Sequence, residues 1–430
     1  MSSSSSILPD PPVTRREVFA WASLDFANSG YTTVVLTAVF NAYFVSVVMD
    51  DVAHATLVWT LVLSASYLVV MFSAPFLGAY ADAHRAKRPL LLVATLLCGA
   101  ATLGLTQCGP GDLWPAAALL LVSNVAYATH QDLSAGFMRS LAGPGALGRL
   151  SGWGWAWGYL GGLLTLGLSL VWVSSVAQGV VGQPTAQDLM AGSLAITALV
   201  FWLVGLPALA VLKEREPAVE VDWRAAWARL LRSRHAQADA LGHGEHGSAL
   251  GQFLWAVVFY QSGVSAVITL AAIYAQQAMG FGMAETIALL LVVNITASIG
   301  AAAFGWIQDR LGHRDSLSGA LMLWIVMVLV AAFGETEAHF WLAANLAGLA
   351  MGASQSGARA VVGALSPRDH QAEAFGDWGV AVNLAAVMGP LAYGLTTWLT
   401  GNDHRLAILV TGLFFVVGLV LLRRVPFPKA

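Results

Sequence analysis

The sequence predicts an all-α membrane protein with twelve transmembrane helices in two pseudo-symmetric bundles of six. Of its 430 residues, 57% are hydrophobic and only 10% are charged, whereas about a quarter of the residues in a soluble domain carry a charge. The apolar residues fall into segments long enough to cross a bilayer, for which a helix needs about 20 residues. Loop patterns in the first half of the chain recur in the second half, which indicates an internal duplication.

Twelve apolar segments follow one another with mostly short polar connections. Their expected ranges are 18–48, 56–81, 89–107, 112–138, 150–174, 187–212, 249–278, 284–308, 314–334, 337–363, 372–398 and 404–423. The longest interruption follows the sixth segment and divides the chain into six plus six. We therefore predict a disordered cytoplasmic tail (1–17), an N-terminal six-helix bundle (18–212), a cytoplasmic linker (213–248) and a C-terminal six-helix bundle (249–430).

The two polar parts of the chain have different compositions. The tail is rich in Ser and Pro and lacks the basic start and apolar core of a cleaved signal peptide, so we expect the first span to direct insertion. In the linker, residues 222–234 place Trp and Leu on one helical face and Arg on the other. This pattern favours an amphipathic helix on the inner leaflet, with a solvated linker helix as the alternative.

Basic residues are concentrated on one side of the predicted topology. If the tail is cytoplasmic, 19 of the 21 Lys and Arg residues lie on the cytoplasmic side; the exceptions are Arg359, within a span, and Arg405. Because positively charged loops remain in the cytoplasm, we predict that both termini and the linker are cytoplasmic. The basic residues form no single patch, so we expect no nucleic-acid partner.

The first apolar segment carries a carboxylate within its spanning part. At about 100° per residue, Asp25, Asn28, Ser29 and Thr32 share one face of a helix. An ionised Asp facing lipid costs roughly 2.5–3.5 kcal/mol, so this polar stripe should face protein or a water-filled path. We predict that Asp25 is a proton-coupling carboxylate beside the substrate. The alternative is a buried Asp that only ties this helix to a partner.

A loop pattern after the second span recurs after the eighth span. Gly78-x-x-x-Asp82 has its counterpart in Gly305-x-x-x-Asp309, about half a chain later. The glycine allows two helices to approach closely, and the Asp at a helix end can pair with an arginine or a helix N-terminus. In a membrane protein built from two such repeats, the substrate site lies between the halves near the midplane.

A second pair of motifs supports the same register. Residues 151–154 align with residues 375–378, and this alignment places Gln131 opposite Gln355. Around the first motif, glycines at positions 154, 158 and 162 predict a face for close helix packing. Tryptophans at 153, 155 and 157 predict an aromatic anchor at the inner interface. We assign neither set to the substrate path.

The second loop copy, GWIQDRLGHR, resembles the signature loop of the major facilitator superfamily. The resemblance consists of a glycine, an Asp-Arg pair, and then a glycine and a basic residue. It implies the major facilitator fold and gating loops that close one access state. The predicted gating residues are Gly78, Asp82, Gly305, Asp309, Arg310, Gly312 and Arg314. The first copy has Ala83 where the family has arginine, which implies a weaker charge clamp.

A narrower resemblance covers nearly the whole chain. The motif DFANSGY at 25–31, the run at 151–162 and the segment at 355–390 resemble a branch that includes fungal vacuolar amino-acid effluxers and bacterial transporters. The resemblance implies an amino-acid substrate and a bacterial inner membrane. The seventh span departs from the family pattern because Gln261-Ser262 replaces Asn-Asp. The fourth span departs from it as well, with Ala128 in place of Asn.

The remaining candidate pathway residues lie in later spans. In the fourth span, helical spacing places Tyr127, His130 and Gln131 on one face and turns Asp132 away. We expect Asp132 to form a structural ion pair with Arg139. A histidine that is simply buried and satisfied is the alternative for His130. The other candidates are Gln261, Asn294, Gln355, Arg359 and Asn383; each amide could instead form an interhelical hydrogen bond, and Arg359 could hold either a substrate carboxylate or a loop acid.

These observations predict a secondary active transporter rather than an enzyme. We expect it to move a small polar solute, such as an amino acid or a related zwitterion, by proton-coupled alternating access. Transport of sugars or peptides, and a non-transporting receptor on the same scaffold, remain alternatives. No nucleotide-binding loop, cofactor or metal site is predicted, and the expected partners are the lipid bilayer, the solute and protons.

The predicted topology can be tested with reporter fusions. We expect green fluorescent protein fused after Lys429 to fluoresce and alkaline phosphatase at the same site to be inactive, because the positive-inside bias places this end in the cytoplasm. Fusions after Gly401, next to the outward Arg405, should give the opposite pair of signals. Phosphatase activity after Lys429 would refute the twelve-span topology.

Overall fold

The computed structural model describes residues 13–49, 52–177, 185–216, 218, 244–279, 283–401 and 403–427. The amphipathic helix predicted over 222–234 lies outside these ranges, as does residue range 1–12 of the predicted tail. Across the described ranges the chain forms helices and turns, without a strand.

Twelve long helices follow one another through the described residues. They are α1 (Arg15–Tyr31), α2 (Val52–His84), α3 (Lys87–Leu105), α4 (Leu113–Ala135), α5 (Leu147–Ala177), α6 (Ala186–Val211), α7 (Gly244–Met279), α8 (Met283–Leu311), α9 (His313–Phe333), α10 (Glu337–Leu365), α11 (Gln371–Leu399) and α12 (His404–Arg424). A short helix, Met138–Leu141, and a 3₁₀ turn, Pro144–Ala146, connect α4 to α5. These bounds agree with the predicted spans to within several residues.

The first helix continues beyond Tyr31 in a wider, π-helical form. Two π-helical stretches, Thr32–Ala38 and Phe44–Val48, flank a single α-helical turn. The first stretch contains five β-branched residues, whose side chains crowd the preceding turn of an α-helix. The hydroxyl of Thr37 donates to the backbone oxygen of Thr32, five residues back, at 2.9 Å. Such insertions occur frequently at functional sites.

Ten helices in the described ranges are long and apolar enough to cross a membrane. The two long helices outside this group are α4 and α10, which carry His130, Asp132 and Arg359 in their interiors. Almost every residue of α10 from Ala350 to Leu365 is buried, so this half of the helix is surrounded by protein rather than lipid. The helices therefore support the predicted integral membrane protein, and the predicted twelve spans are consistent with them.

Helices α1–α6 form one bundle and α7–α12 form the other. Where the bundles meet, α2 packs along α11, and α5 packs along α8 and α10. The crossing of α5 with α8 is close because glycines face each other: a Cβ on Gly305 would lie 2.6 Å from the backbone oxygen of Gly148. Gly78 of α2 similarly lies against the backbone of Ala372 in α11. We call the end of the molecule where α1 begins and α12 ends the terminal end.

Candidate functional site

The two bundles enclose a cavity of about 470 Å³. Its walls include Phe340, in the first turn of α10, and Ile408, near the start of α12. Because α10 and α12 both begin at the end opposite the terminal end, the cavity lies in that half of the molecule. We call it the central cavity.

Most predicted pathway residues line the central cavity or a smaller cavity beside it. The central cavity is lined by Thr32, Tyr127, Gln131, Gln261, Asn294, Gln355 and Asn383. The smaller cavity, of about 110 Å³, is lined by Asp25, Asn28 and Ser29, and it shares Thr32, Tyr127, Gln131 and Asn294 with the larger one. The polar stripe of α1 therefore faces the interior of the protein. Of the predicted set, His130 and Arg359 line neither of these two cavities.

Asn28 is the least satisfied member of this stripe. Its side chain is buried, and neither its amide nitrogen nor its amide oxygen has a hydrogen-bond partner among the described residues. A buried polar group without a partner costs roughly 1–3 kcal/mol. The amide is thus available to a ligand or a water molecule in the smaller cavity.

Asp25 and Arg359 form a buried ion pair that joins the two bundles. Nη1 of Arg359, on α10, donates to Oδ2 of Asp25, on α1, at 2.6 Å. Arg359 also donates from Nε to Oγ of Ser151 and from Nη2 to the backbone oxygen of Ser151, at 3.1 and 3.0 Å. Arg359 is only 2% exposed. Its guanidinium, which belongs to the second bundle, is therefore held by α1 and α5 of the first.

Two tryptophans complete the environment of this ion pair. The guanidinium carbon of Arg359 lies 4.8 Å from the ring centre of Trp21 and 5.4 Å from that of Trp155. Cation–π contacts of this kind stabilise a desolvated cation by about 2 kcal/mol. Gly154 leaves room for the pair, because a Cβ there would lie 2.5 Å from both Arg359 Nη2 and Asp25 Oδ2.

These contributions of α5 differ from the roles that the sequence predicts. The sequence predicts an interfacial anchor for Trp155 and helix packing for Gly154, whereas both lie against the ion pair and Trp155 also lines both cavities. Trp153 is exposed, as an anchor should be. The one signal in the sequence is a glycine between two tryptophans at positions 153–155. This pattern does not indicate which of the two rings faces the interior.

The orientation predicted for α4 is wrong in one respect. Asp132 lines the central cavity, while His130 is fully buried and packs against Phe201 of α6, with ring centres 5.1 Å apart. The cavity-facing side of α4 is centred about 80° away from the predicted stripe, so it includes Ala128 and Asp132 and leaves out His130.

The predicted Asp132–Arg139 ion pair is likewise not formed. Arg139 instead donates to the backbone oxygens of Gly363 and Ala364, at 2.9 and 3.0 Å. These oxygens belong to the last turn of α10, where a cation is favoured by the helix dipole. Arg139 thus links the two bundles at the terminal end.

Asp82 makes a contact between the bundles at the terminal end. Its Oδ2 accepts a hydrogen bond from the backbone N–H of Glu373, in the first turn of α11, at 3.0 Å. Its Oδ1 lies 3.0 Å from the ammonium of the buried Lys87. Glu373 also accepts a hydrogen bond from His370, which raises the pKa of that imidazole.

Asp309 occupies the corresponding position in the second half of the chain. Its carboxylate accepts hydrogen bonds from the backbone N–H groups of Gly148 and Arg149, at 2.9 and 3.1 Å, in the first turn of α5. The side chain of Arg149 donates a further bond to it, at 2.9 Å. In both copies, an Asp at the end of one helix meets the N-terminus of a helix in the other bundle, where the dipole favours an anion.

The other residues of the second loop copy have local roles. Gly312 has a φ of 87°, a conformation that favours glycine, and it leads into α9. Arg314 donates to the backbone oxygen of Val425, just after α12, at 2.5 Å. Arg310 lies within the last turn of α8. The contacts that join the two bundles at the terminal end are therefore those of Asp82, Asp309 and Arg139, while the central cavity lies toward the opposite end.

Comparison with known proteins identifies the family. A family model described as vacuole effluxer Atg22 like matches residues 146–430, more than half of the chain. The chain belongs to this family. The resemblance inferred from the sequence motifs is therefore confirmed.

Two relatives illustrate the range of the family. The chain is 25% identical over 417 residues to YxiO of Bacillus subtilis (strain 168), an uncharacterized MFS-type transporter, covering 95% of this chain and 94% of the relative. It is 28% identical over 189 residues to autophagy-related protein 22 of Cryptococcus neoformans var. neoformans serotype D (strain B-3501A). That second match spans 40% of this chain and 34% of the fungal protein.

Solved structures of major facilitator superfamily transporters share the fold. The human organic anion transporter MFSD10 (TETRAN) matches with a TM-score of 0.76 at 17% identity, covering 96% of this chain and 100% of that chain. FucP in the outward conformation matches with a TM-score of 0.74 at 13% identity, again covering 96% and 100%. At these identities the likeness concerns the fold alone, and it confirms the predicted all-helical major facilitator fold.

The Asp25–Arg359 pair can be tested by a double-mutant cycle. We expect Arg359→Gln to lower the thermal stability in detergent strongly, by about 3–5 kcal/mol, because it leaves Asp25 buried without a counter-ion. Asp25→Asn should also destabilise, and the double variant Asp25→Asn/Arg359→Gln should lose clearly less than the sum of the two. Thermal unfolding of the purified variants measures these losses of stability. A second cycle on two exposed residues, Asp315→Asn and Arg424→Gln, is the control. Strictly additive losses would show that the two groups do not interact.

We further expect Asp82→Asn and Asp309→Asn to slow transport and leave ligand binding largely intact. Asp309 should matter more, because its carboxylate accepts three hydrogen bonds from the opposite bundle. Bonds to a charged group contribute about 1.5–3 kcal/mol each, so their loss should shift the balance between access states. Flux in proteoliposomes at matched protein content gives the rates, with Asp315→Asn as control. Wild-type rates in both variants would mean that these loops only set the topology.

Proposed function

We propose that this protein is a proton-coupled secondary transporter that moves a small polar solute, an amino acid or related zwitterion, by alternating access. The observation that carries the proposal is the buried Asp25–Arg359 pair, which ties the bundles together beside cavities lined by amide groups. Family membership supports the transport part, because the relatives are described as transporters or effluxers. The amino-acid part rests on the resemblance to that family, and a bacterial inner membrane is the proposed location.

The ion pair offers a physical route from protonation to movement. Protonation of Asp25 removes the negative charge that Arg359 faces, and a buried cation without a counter-ion is strongly disfavoured. A substrate carboxylate entering from the smaller cavity can then take the place of Asp25. Binding of the proton and of the substrate therefore favour each other, and they weaken a contact between the bundles.

The contacts at the terminal end control the second step of the proposed cycle, which is the opening of the site toward that end. In the state described here, Asp82 and Asp309 hold helix N-termini of the opposite bundle, and Arg139 holds the end of α10. Once the central tie is weakened, these contacts alone keep that end closed. We propose that their release opens the site toward the terminal end, which is proposed to face the cytoplasm.

Sugar transport is the second candidate. The central cavity is lined by six amide side chains: Asn124, Gln131, Gln261, Asn294, Gln355 and Asn383. An amide both donates and accepts hydrogen bonds, so these groups can also bind the hydroxyl groups of a sugar. Solute flux into proteoliposomes separates these transport functions from a receptor on the same scaffold, because a receptor moves no solute.

Asp25→Asn tests the coupling. We expect this variant to lose accumulation driven by an imposed pH gradient and to retain exchange of substrate without a gradient, because the neutral amide imitates the protonated acid. Proteoliposomes preloaded with a mixture of unlabelled amino acids and diluted into labelled ones provide both measurements. The surface variants Asp315→Asn and Arg424→Gln are the controls.

Two results would contradict the proposed coupling. If Asp25→Asn still concentrates substrate when a pH gradient is imposed, Asp25 does not carry the coupling. If the variant binds no substrate and is unfolded in detergent while both controls are folded, Asp25 serves only to tie the helices together.

A further inference from the structure

The central cavity contains an acid that the proposed coupling mechanism does not use. Of the described residues that line this cavity, Asp132 alone carries a carboxyl group, and none is Lys, Arg or His. The rest of the wall is apolar, aromatic, hydroxyl or amide. A solute in the central cavity therefore meets one carboxyl group and no basic group.

Asp132 is buried and incompletely satisfied. It is 9% exposed, and its Oδ2 has no hydrogen-bond partner among the described residues. Arg139, the basic residue nearest to it in the sequence, donates to the end of α10 instead, and Arg359 is engaged by Asp25 and Ser151. The protein therefore leaves this carboxylate without a counter-ion in the part that the structure describes.

The carboxylate occupies a space that α11 keeps open. It lies against Gly379, where a Cβ would be 2.5 Å from Asp132 Oδ2 and 3.0 Å from its Cγ. Since α4 belongs to the first bundle and α11 to the second, the carboxylate sits at the boundary between the two. Any side chain at position 379 would displace it.

A complementary donor lies next to this glycine. Trp378 is buried and lines the same cavity, and its indole N–H has no acceptor among the described residues. An unmatched acceptor on α4 and an unmatched donor on α11 thus face one cavity. Burying either group without a hydrogen-bond partner costs free energy, and a ligand in the cavity that pairs with both would remove this cost.

We propose that Asp132 binds the cationic nitrogen of the transported solute. A primary ammonium supplies three donors and the positive charge that the carboxylate lacks, while the Trp378 N–H donates to an acceptor oxygen of the same solute. The solute class is therefore an amine-bearing molecule such as an amino acid, and neutral sugars lack the group that Asp132 requires. This inference rests on the proposed transport function and assigns its substrate class.

The test measures binding to the purified full-length protein in detergent by calorimetry and thermal shift. The probes are the twenty common L-amino acids, D-glucose and L-fucose, together with 3-methylbutylamine and 4-methylpentanoate, which are L-leucine without its carboxylate and without its amine. We expect amine-bearing probes to bind and the sugars not to bind. Asp132→Asn should raise the Kd of those amines by about tenfold or more, since it removes a charge-assisted bond. The Kd of 4-methylpentanoate should stay within about twofold, because this acid makes no such bond.

A second variant displaces the carboxylate without changing its charge. Gly379→Ala should weaken amine binding to a similar degree, because the added Cβ meets Asp132 Oδ2. Gly394→Ala is the matched control: it lies on the same helix, and nothing lies within 4 Å of its added Cβ. Asp315→Asn, which changes an exposed residue in the first turn of α9, controls for loss of an acid.

Several outcomes would overturn the inference. Unchanged amine affinity in Asp132→Asn, with an altered pH dependence of binding, would make Asp132 a proton site. Binding of sugars alone, or of no amine-bearing probe, would also overturn it. These results leave the transport part of the proposed function standing if proteoliposomes still move a solute. Absence of flux for every probe, with amine binding intact and dependent on Asp132, would contradict the transport function alone.

Discussion

The buried pair between Asp25 and Arg359 is the constraint on which the rest of the site depends. A guanidinium in the interior of a membrane protein requires an anion, and here the anion comes from the opposite bundle. The pair therefore fixes how α1 and α10 approach each other, and it explains why Gly154 and Trp155 lie where they do. It also makes the contact between the bundles sensitive to charge, because any event that neutralises Asp25 removes the counter-ion of the buried Arg359.

The terminal end shows how a duplicated sequence produces a duplicated contact. Asp82 and Asp309 stand at equivalent ends of helices, and each accepts hydrogen bonds from the first turn of a helix in the opposite bundle. The glycine four residues before each Asp lets those helices approach closely enough. The two copies differ in strength: Asp309 gains the side chain of Arg149, whereas Asp82 shares its charge with the buried Lys87.

The scaffold does not determine what such a protein transports. Structures with the same fold include transporters described as acting on organic anions, fucose and xylose, and a bacterial homologue of an iron transporter. The substrate must therefore be inferred from cavity side chains. In this chain Asp132 of α4 faces the central cavity, and α7 contributes the amide of Gln261 to the same wall.

The sequence by itself determined the features that depend on composition and periodicity. These are the membrane class, the twelve helices, the duplication and the inward polar stripe of α1, because hydrophobic length and helical spacing are local properties of the chain. Only the tertiary structure decided that Asp25 pairs with Arg359, 334 residues away, and that Asp132 rather than His130 faces the cavity. Which edge of a helix faces a cavity depends on the position of its neighbours. Helical periodicity alone leaves that rotation undetermined by roughly half a turn.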